Sequence, residues 1–135
     1  MLILAITSSL SAQLLKVPVH RLLHRKWDFR RAVGAGGMPS SHSAMVTSLA
    51  TAVGYVHGWH SDLFAIVMVF ALIVLYDAIG IRQAVGRQSA FLNRVQRETS
   101  IGQIVQAPLP ELVGHTPLEV LAGAFWGVLL TILFY

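Results

Sequence analysis

Apolar and polar positions along the 135-residue chain fall into four long apolar segments separated by polar, turn-forming stretches. The first runs from about Leu2 to Leu15 and is softened by Thr7, Ser8, Ser9, Ser11 and Gln13. The second, about Ser43 to Val56, alternates Ala, Ser, Thr and Gly with Val and Leu. The third, Leu63 to Ile81, reads LFAIVMVFALIVLYDAIGI and is the most apolar; the fourth runs from Leu118 to Tyr135. A helix that crosses a bilayer needs about 20 apolar residues. The third and fourth segments come close to that length alone. The first and second become spans as partners in a bundle, where small residues let helices approach closely.

Composition supports the same reading. Hydrophobic residues make up 55% of the chain and charged ones 12%, against roughly 25% charge in soluble domains. A soluble bundle is the alternative, but it leaves too few polar residues to coat its surface. The expected fold is all-α: one domain over residues 1–135, a multi-pass membrane helical bundle of about four transmembrane helices. There is no cysteine, which excludes disulfides and thiolate chemistry. The start has neither the basic region nor the cleavage site of a signal peptide, so its apolar stretch reads as a retained first helix.

All ten Lys and Arg lie in two places. Lys16, Arg21, Arg25, Lys26, Arg30 and Arg31 follow the first segment, and Arg82, Arg87, Arg94 and Arg97 follow the third. The loop after the second segment, HGWHSD, has none. Four spans put both basic loops on one face, which the positive-inside rule assigns to the cytoplasm. The basic residues flank apolar spans and few aromatics interleave with them, so nucleic acid is not the expected partner.

Two polar clusters sit where helices should begin. In Gly36-Gly37-Met38-Pro39-Ser40-Ser41-His42-Ser43-Ala44, the glycines permit a tight turn, Pro39 fixes the approach, and Ser40 or Ser41 caps the next helix. Free N–H groups and the helix dipole make such an end an anion site. His42 would sit in the first turn, able to hydrogen-bond an oxyanion or donate a proton; an ordinary capped start with an interfacial histidine remains the plainer reading. In Gly114-His115-Thr116-Pro117-Leu118-Glu119, Thr116 as cap, Pro117 at the first helical position and Glu119 three residues on form a capping box. His115 is then either a loop histidine or one that a carboxylate orients as nucleophile or base. Both clusters open even-numbered spans, so both belong on the basic face. Two helix mouths, two histidines and several cations there outline a phosphate site.

A third cluster, YDAIGIRQAVGRQSAFLN, places Asp77 at the end of the most apolar segment, where an ionisable group needs a partner or a polar cavity. Arg82 is a candidate partner, and Arg87, Gln88 and Asn93 continue a polar loop surface. Lys16 can reach inward to an anion or anchor the interface. His20 and His24 have a metal-compatible spacing without a third ligand at useful spacing, and no metal site is expected.

The blocks GGMPSSHSA, YDAIGIRQAVGRQSAFLN and GHTPLEVLAGAFWG, in this order, resemble the divergent type 2 phosphatidic acid phosphatase family, the acid phosphatase/vanadium-dependent haloperoxidase-related proteins. The likeness covers nearly the whole chain. It implies a phosphatase on a helical bundle that uses neither metal nor other cofactor. The wider superfamily signature is Lys-x6-Arg-Pro, Pro-Ser-Gly-His and Ser-Arg-x5-His-x3-Asp. By this resemblance Pro39-Ser40-Ser41-His42 stands for the second block with Ser41 in place of glycine, and His42 would protonate the leaving alcohol. His115 would form phosphohistidine, Glu119 would take the orienting aspartate's place, and Lys16 would be heir to the lysine. Ser40 and Ser41 would belong to the phosphate site, with Arg82, from its place at the end of the third segment rather than from the signature, as the candidate guanidinium and Asp77, Gly114 and Thr116 in supporting roles. The sequence departs from the signature at Leu23, where the first block has arginine, and at Leu109-Pro110, where the third has Ser-Arg.

The first expectation is therefore a membrane phosphatase acting on a phosphorylated lipid or small phosphomonoester among membrane lipids. The second is a degenerate scaffold that binds anionic head groups or a membrane partner. A small transporter subunit ranks third, because Asp77 is nearly the only intramembrane charge. A homo-oligomer is left open.

Overall fold

A computed structural model of the chain describes residues 1–34, 36–98, 108–109 and 114–135, except for the side chain of Arg82. Five α-helices run in order: α1 Leu2–His24, α2 Ser41–His57, α3 Asp62–Ile79, α4 Ile81–Glu98 and α5 Pro117–Phe134. A short 3-10 helix, Phe29–Ala32, follows α1. The described residues contain no strand. Helices occupy all four apolar segments. Three stretches are long and apolar enough to cross a membrane: α1, the α3–α4 run and α5. The second segment's helix, α2, has 17 residues and is the centre of the bundle, packed against α1, α3 and α5.

Burial in this bundle is inverted relative to a soluble domain. Every fully buried apolar side chain among the described residues is Ala or Val, while Leu10, Leu14, Ile66, Phe70, Phe125 and many other large ones face outward. In water the large aliphatics and aromatics would be inside. Here the outside must be apolar, and the interior is closed by small residues and hydroxyls.

The α2–α5 contact shows how. A Cβ on Gly123 would run into the backbone of Ser40, and one on Gly127 would meet Ala44 O and Thr47 Oγ1. Gly123, Gly127 and Thr131 thus form a four-residue repeat facing Ser40, Ala44 and Ser48, and the backbones approach as small-residue repeats allow. Hydroxyls then bridge the helices. Ser8 Oγ donates to Ser48 Oγ at 3.1 Å, Ser48 Oγ and Thr131 Oγ1 are 2.9 Å apart, and Thr47 Oγ1 donates to Ala124 O at 3.1 Å. With no water to satisfy them in a bilayer, such groups must pair internally.

Two expectations change in detail. The first apolar segment does not end near Lys16, because α1 continues through Pro18 to His24. The polar run after Asp77 is a helix, α4, separated from α3 by Gly80 alone.

Candidate functional site

Four chain segments converge at one end of the bundle. Ser40 caps α2, accepting from Ser43 N, and Ser40 N donates to Glu119 O at 3.0 Å. The mouths of α2 and α5 therefore touch, as their shared face in the sequence pattern implies. His115 N donates to Ala78 O at 3.1 Å, tying the start of α5 to the end of α3. The stretch after the 3-10 helix folds back along α1, where Gln13 Nε2 and Lys16 Nζ both donate to Gly34 O, at 3.1 and 3.2 Å. In a membrane protein, irregular backbone is tolerated where protein surrounds it or a cavity faces it, and here a cavity does.

That cavity has a volume of about 320 Å³. Its walls include Arg31 from the 3-10 helix, Gly36 and Gly37 from the stretch before α2, Gln83 and Arg87 from α4, and Gly114, His115, Thr116 and Glu119 at the mouth of α5. Both Gly37, at φ 96°, and Gly114, at φ 101°, adopt left-handed backbone conformations that disfavour any side chain. A smaller cavity of about 60 Å³ shares Arg31, Gly37 and Glu119 and is lined also by Lys16 and His20.

His115 is 3% exposed. Its Nδ1 lies 3.1 Å from Glu119 Oε2. The same carboxylate oxygen accepts from Thr116 N at 3.0 Å, and Thr116 Oγ1 accepts from Glu119 N at 3.3 Å, which closes the capping box. One carboxylate thus fixes both the helix start and the imidazole. A carboxylate on Nδ1 holds the proton there and leaves the Nε2 lone pair for a bond to something else. Lys16 is 2% exposed. Removing an ammonium from water is costly unless it is paired and hydrogen-bonded, and Glu119 on the same small cavity supplies the counter-charge.

The other sequence candidates fall around this centre. Ser40 and Ser41 are buried, and Ser40 Oγ is engaged by Ser43 N and Ser43 Oγ; neither residue is on the described wall of the larger cavity. His42, in the first turn of α2, is exposed and also off that wall. Asp77 is half-buried near the end of α3. The Arg82 side chain lies outside the described residues, so its expected place in the site is not described. His20 and His24 stack with ring centroids 4.3 Å apart.

The chain belongs to the divergent PAP2 family. The family model bearing that description matches residues 1–130. The chain is also 37% identical, over 143 aligned positions, to a protein of Bacillus subtilis (strain 168) titled "Uncharacterized membrane protein YuiD". That match spans 97% of this chain and 90% of the relative. No solved structure matches significantly. With its apolar exterior and three helices able to span a bilayer, this member of the divergent PAP2 family is an integral membrane protein.

Arg31 and Arg87 were legible only as cations in basic stretches, yet both stand on the cavity wall. For Arg87 a signal existed. Gln83, Gly86, Arg87 and Ala90 have helical i, i+3, i+4, i+7 spacing, visible once the run is treated as a helix rather than a loop. For Arg31 the sequence offers nothing, since only the fold-back of the chain after α1 brings it to the cavity that His115 lines.

Proposed function

We propose that this protein is a membrane phosphatase that hydrolyses a phosphorylated lipid or related phosphomonoester through a phosphohistidine on His115. The observation that carries the reading is the buried His115 on the cavity wall, its Nδ1 3.1 Å from Glu119 Oε2, with Arg31 and Arg87 on the same wall. An oriented imidazole beside guanidinium groups is what in-line attack on a phosphate dianion requires. Nε2 of His115 forms a bond to phosphorus as the ester P–O bond breaks, and the leaving oxygen takes a proton. Water then attacks phosphorus, the P–N bond breaks, inorganic phosphate leaves, and neutral His115 returns. Lys16, Arg31 and Arg87 neutralise the phosphate; Glu119 stabilises the imidazolium. The guanidinium groups stand in for the Ser-Arg arginine that the chain lacks at Leu109-Pro110. No step calls on a metal or cofactor.

The proton for the leaving oxygen comes from His42 or from water. His42 is the donor the sequence names, and its place off the cavity wall predicts a smaller loss on its removal than at His115. That same placement favours a second reading, in which the cavity binds phosphate head groups without turnover. In both readings the basic loops and the site face the cytoplasm, where anionic lipids add attraction. The test is phosphate release by protein in lipid nanodiscs from a panel of lipid phosphates and small phosphomonoesters, beside His115→Ala. Release abolished by the variant supports the phosphatase. Undiminished release in the variant eliminates the mechanism, and saturable binding with no release from any substrate establishes the second reading.

A further inference from the structure

Helix α4 differs in kind from the other helices. α1, α2, α3 and α5 have little contrast between their faces, whereas α4 is strongly amphipathic. It is also turned the unexpected way for a helix in water. Its small and polar side, Gly86, Ser89 and Asn93, is buried, and Gln83 and Arg87 line the cavity beside His115. Its apolar stripe faces out: Ile81 is 61% exposed, Val85 43% and Leu92 47%, flanked by Phe91. At about 100° per residue these positions lie roughly opposite the cavity-lining ones.

We propose that α4 lies in the membrane interface on the basic side of the bundle, its apolar stripe in the acyl-chain boundary of that leaflet and its polar face roofing the His115 cavity. Three observations select lipid over another occupant. α3 is the most apolar part of the candidate span Asp62–Glu98, with Ile66, Phe70 and Ile73 facing outward, and only Gly80 separates it from α4. The stripe of α4 therefore begins at the depth where the lipid-facing surface of α3 ends. Arg87, Arg94 and Arg97 sit away from the stripe, the arrangement by which interfacial helices meet anionic head groups while burying an apolar face. The far side is already fixed to protein: Asn93 Nδ2 donates to Leu109 O and Leu109 N donates to Asn93 Oδ1, both at 2.8 Å. A helix is about 10 Å across, so α4 sets the cavity roughly that distance from the acyl chains of its own leaflet.

The absence of cysteine makes the test direct. Val85→Cys, Leu92→Cys and Arg94→Cys, with Ile66→Cys as the lipid reference, each carry a nitroxide in phosphatidylcholine vesicles containing phosphatidylglycerol. Collision with oxygen and with a water-soluble nickel chelate is read at each site. The expected result is that Val85 and Leu92 labels resemble Ile66, favouring oxygen, while the Arg94 label favours nickel. Nickel accessibility at Val85 and Leu92 equal to that at Arg94 would overturn the proposal, since the stripe would then face water. Dipolar broadening at Leu92 that disappears on dilution with unlabelled protein would overturn it too, by showing that a second copy covers the stripe. All four substitutions are at exposed side chains, and no readout depends on turnover, so failure here is separable from failure of the phosphatase reading.

Discussion

The mouths of α2 and α5 use nearly the same residues, a glycine turn, a proline, a hydroxyl cap and a histidine, yet they present their histidines differently. In α5 the histidine precedes the cap, so His115 lies outside the helical phase, pinned by its N–H to Ala78 O and by its ring to Glu119. In α2 the histidine follows the cap by two residues. Ser40 and Ala44 face α5, and a residue two places from each is about 200° round the helix, so His42 turns away and is exposed. A capped start fixes where a helix begins; the offset of a side chain from the cap decides where it points.

Single substitutions should separate the two mouths. His115→Ala should abolish turnover, a loss of at least about 1,000-fold in kcat, as expected when a nucleophile is removed; the substrate panel above reads it. Glu119→Gln should come next, with a fall of about 10- to 100-fold. Glutamine still completes a capping box but removes the counter-charge of buried Lys16, so a fall in the thermal midpoint would report the lost charge partner, and pairing the change with Lys16→Met should reverse it. Arg87→Ala and Arg31→Ala should each raise KM by about tenfold, the worth of one charge-assisted hydrogen bond at roughly 1.5 kcal/mol. His42→Ala should cost less than either, and an effect equal to that of His115→Ala would return His42 to the centre of the site. The smallest difference belongs to the caps. Thr116→Ala and Ser40→Ala should each destabilise by about 1 kcal/mol in denaturation measurements, equal in stability while the two mouths remain unequal in activity.

The helices, the capping box and the meeting of two mouths on one face were readable because they follow from local rules. Apolar length, small-residue content and the T-x-x-E spacing each mark an element without reference to the rest of the chain. What stayed hidden depended on tertiary placement. Lys16 looked like the end of an apolar segment and is instead deep in α1, held by the carbonyl of Gly34, 18 residues away. Arg31 reaches the cavity only because the chain folds back after α1. The polar residues of α4, Arg87, Gln88 and Asn93, suggest a loop surface in the sequence, yet they lie on a helix. Its apolar residues are on the side away from the bundle, where a soluble-protein expectation does not look for them.

A bond between His115 and phosphorus can be read directly. Protein in nanodiscs, mixed with a turned-over lipid phosphate and quenched in alkali within the first turnover, can be digested and its peptides searched for phosphohistidine. Phosphate should appear on the peptide containing His115, be absent in His115→Ala, and form no more slowly than inorganic phosphate is released. Turnover that proceeds with no phosphate on that peptide, or with phosphate on another residue, would contradict it.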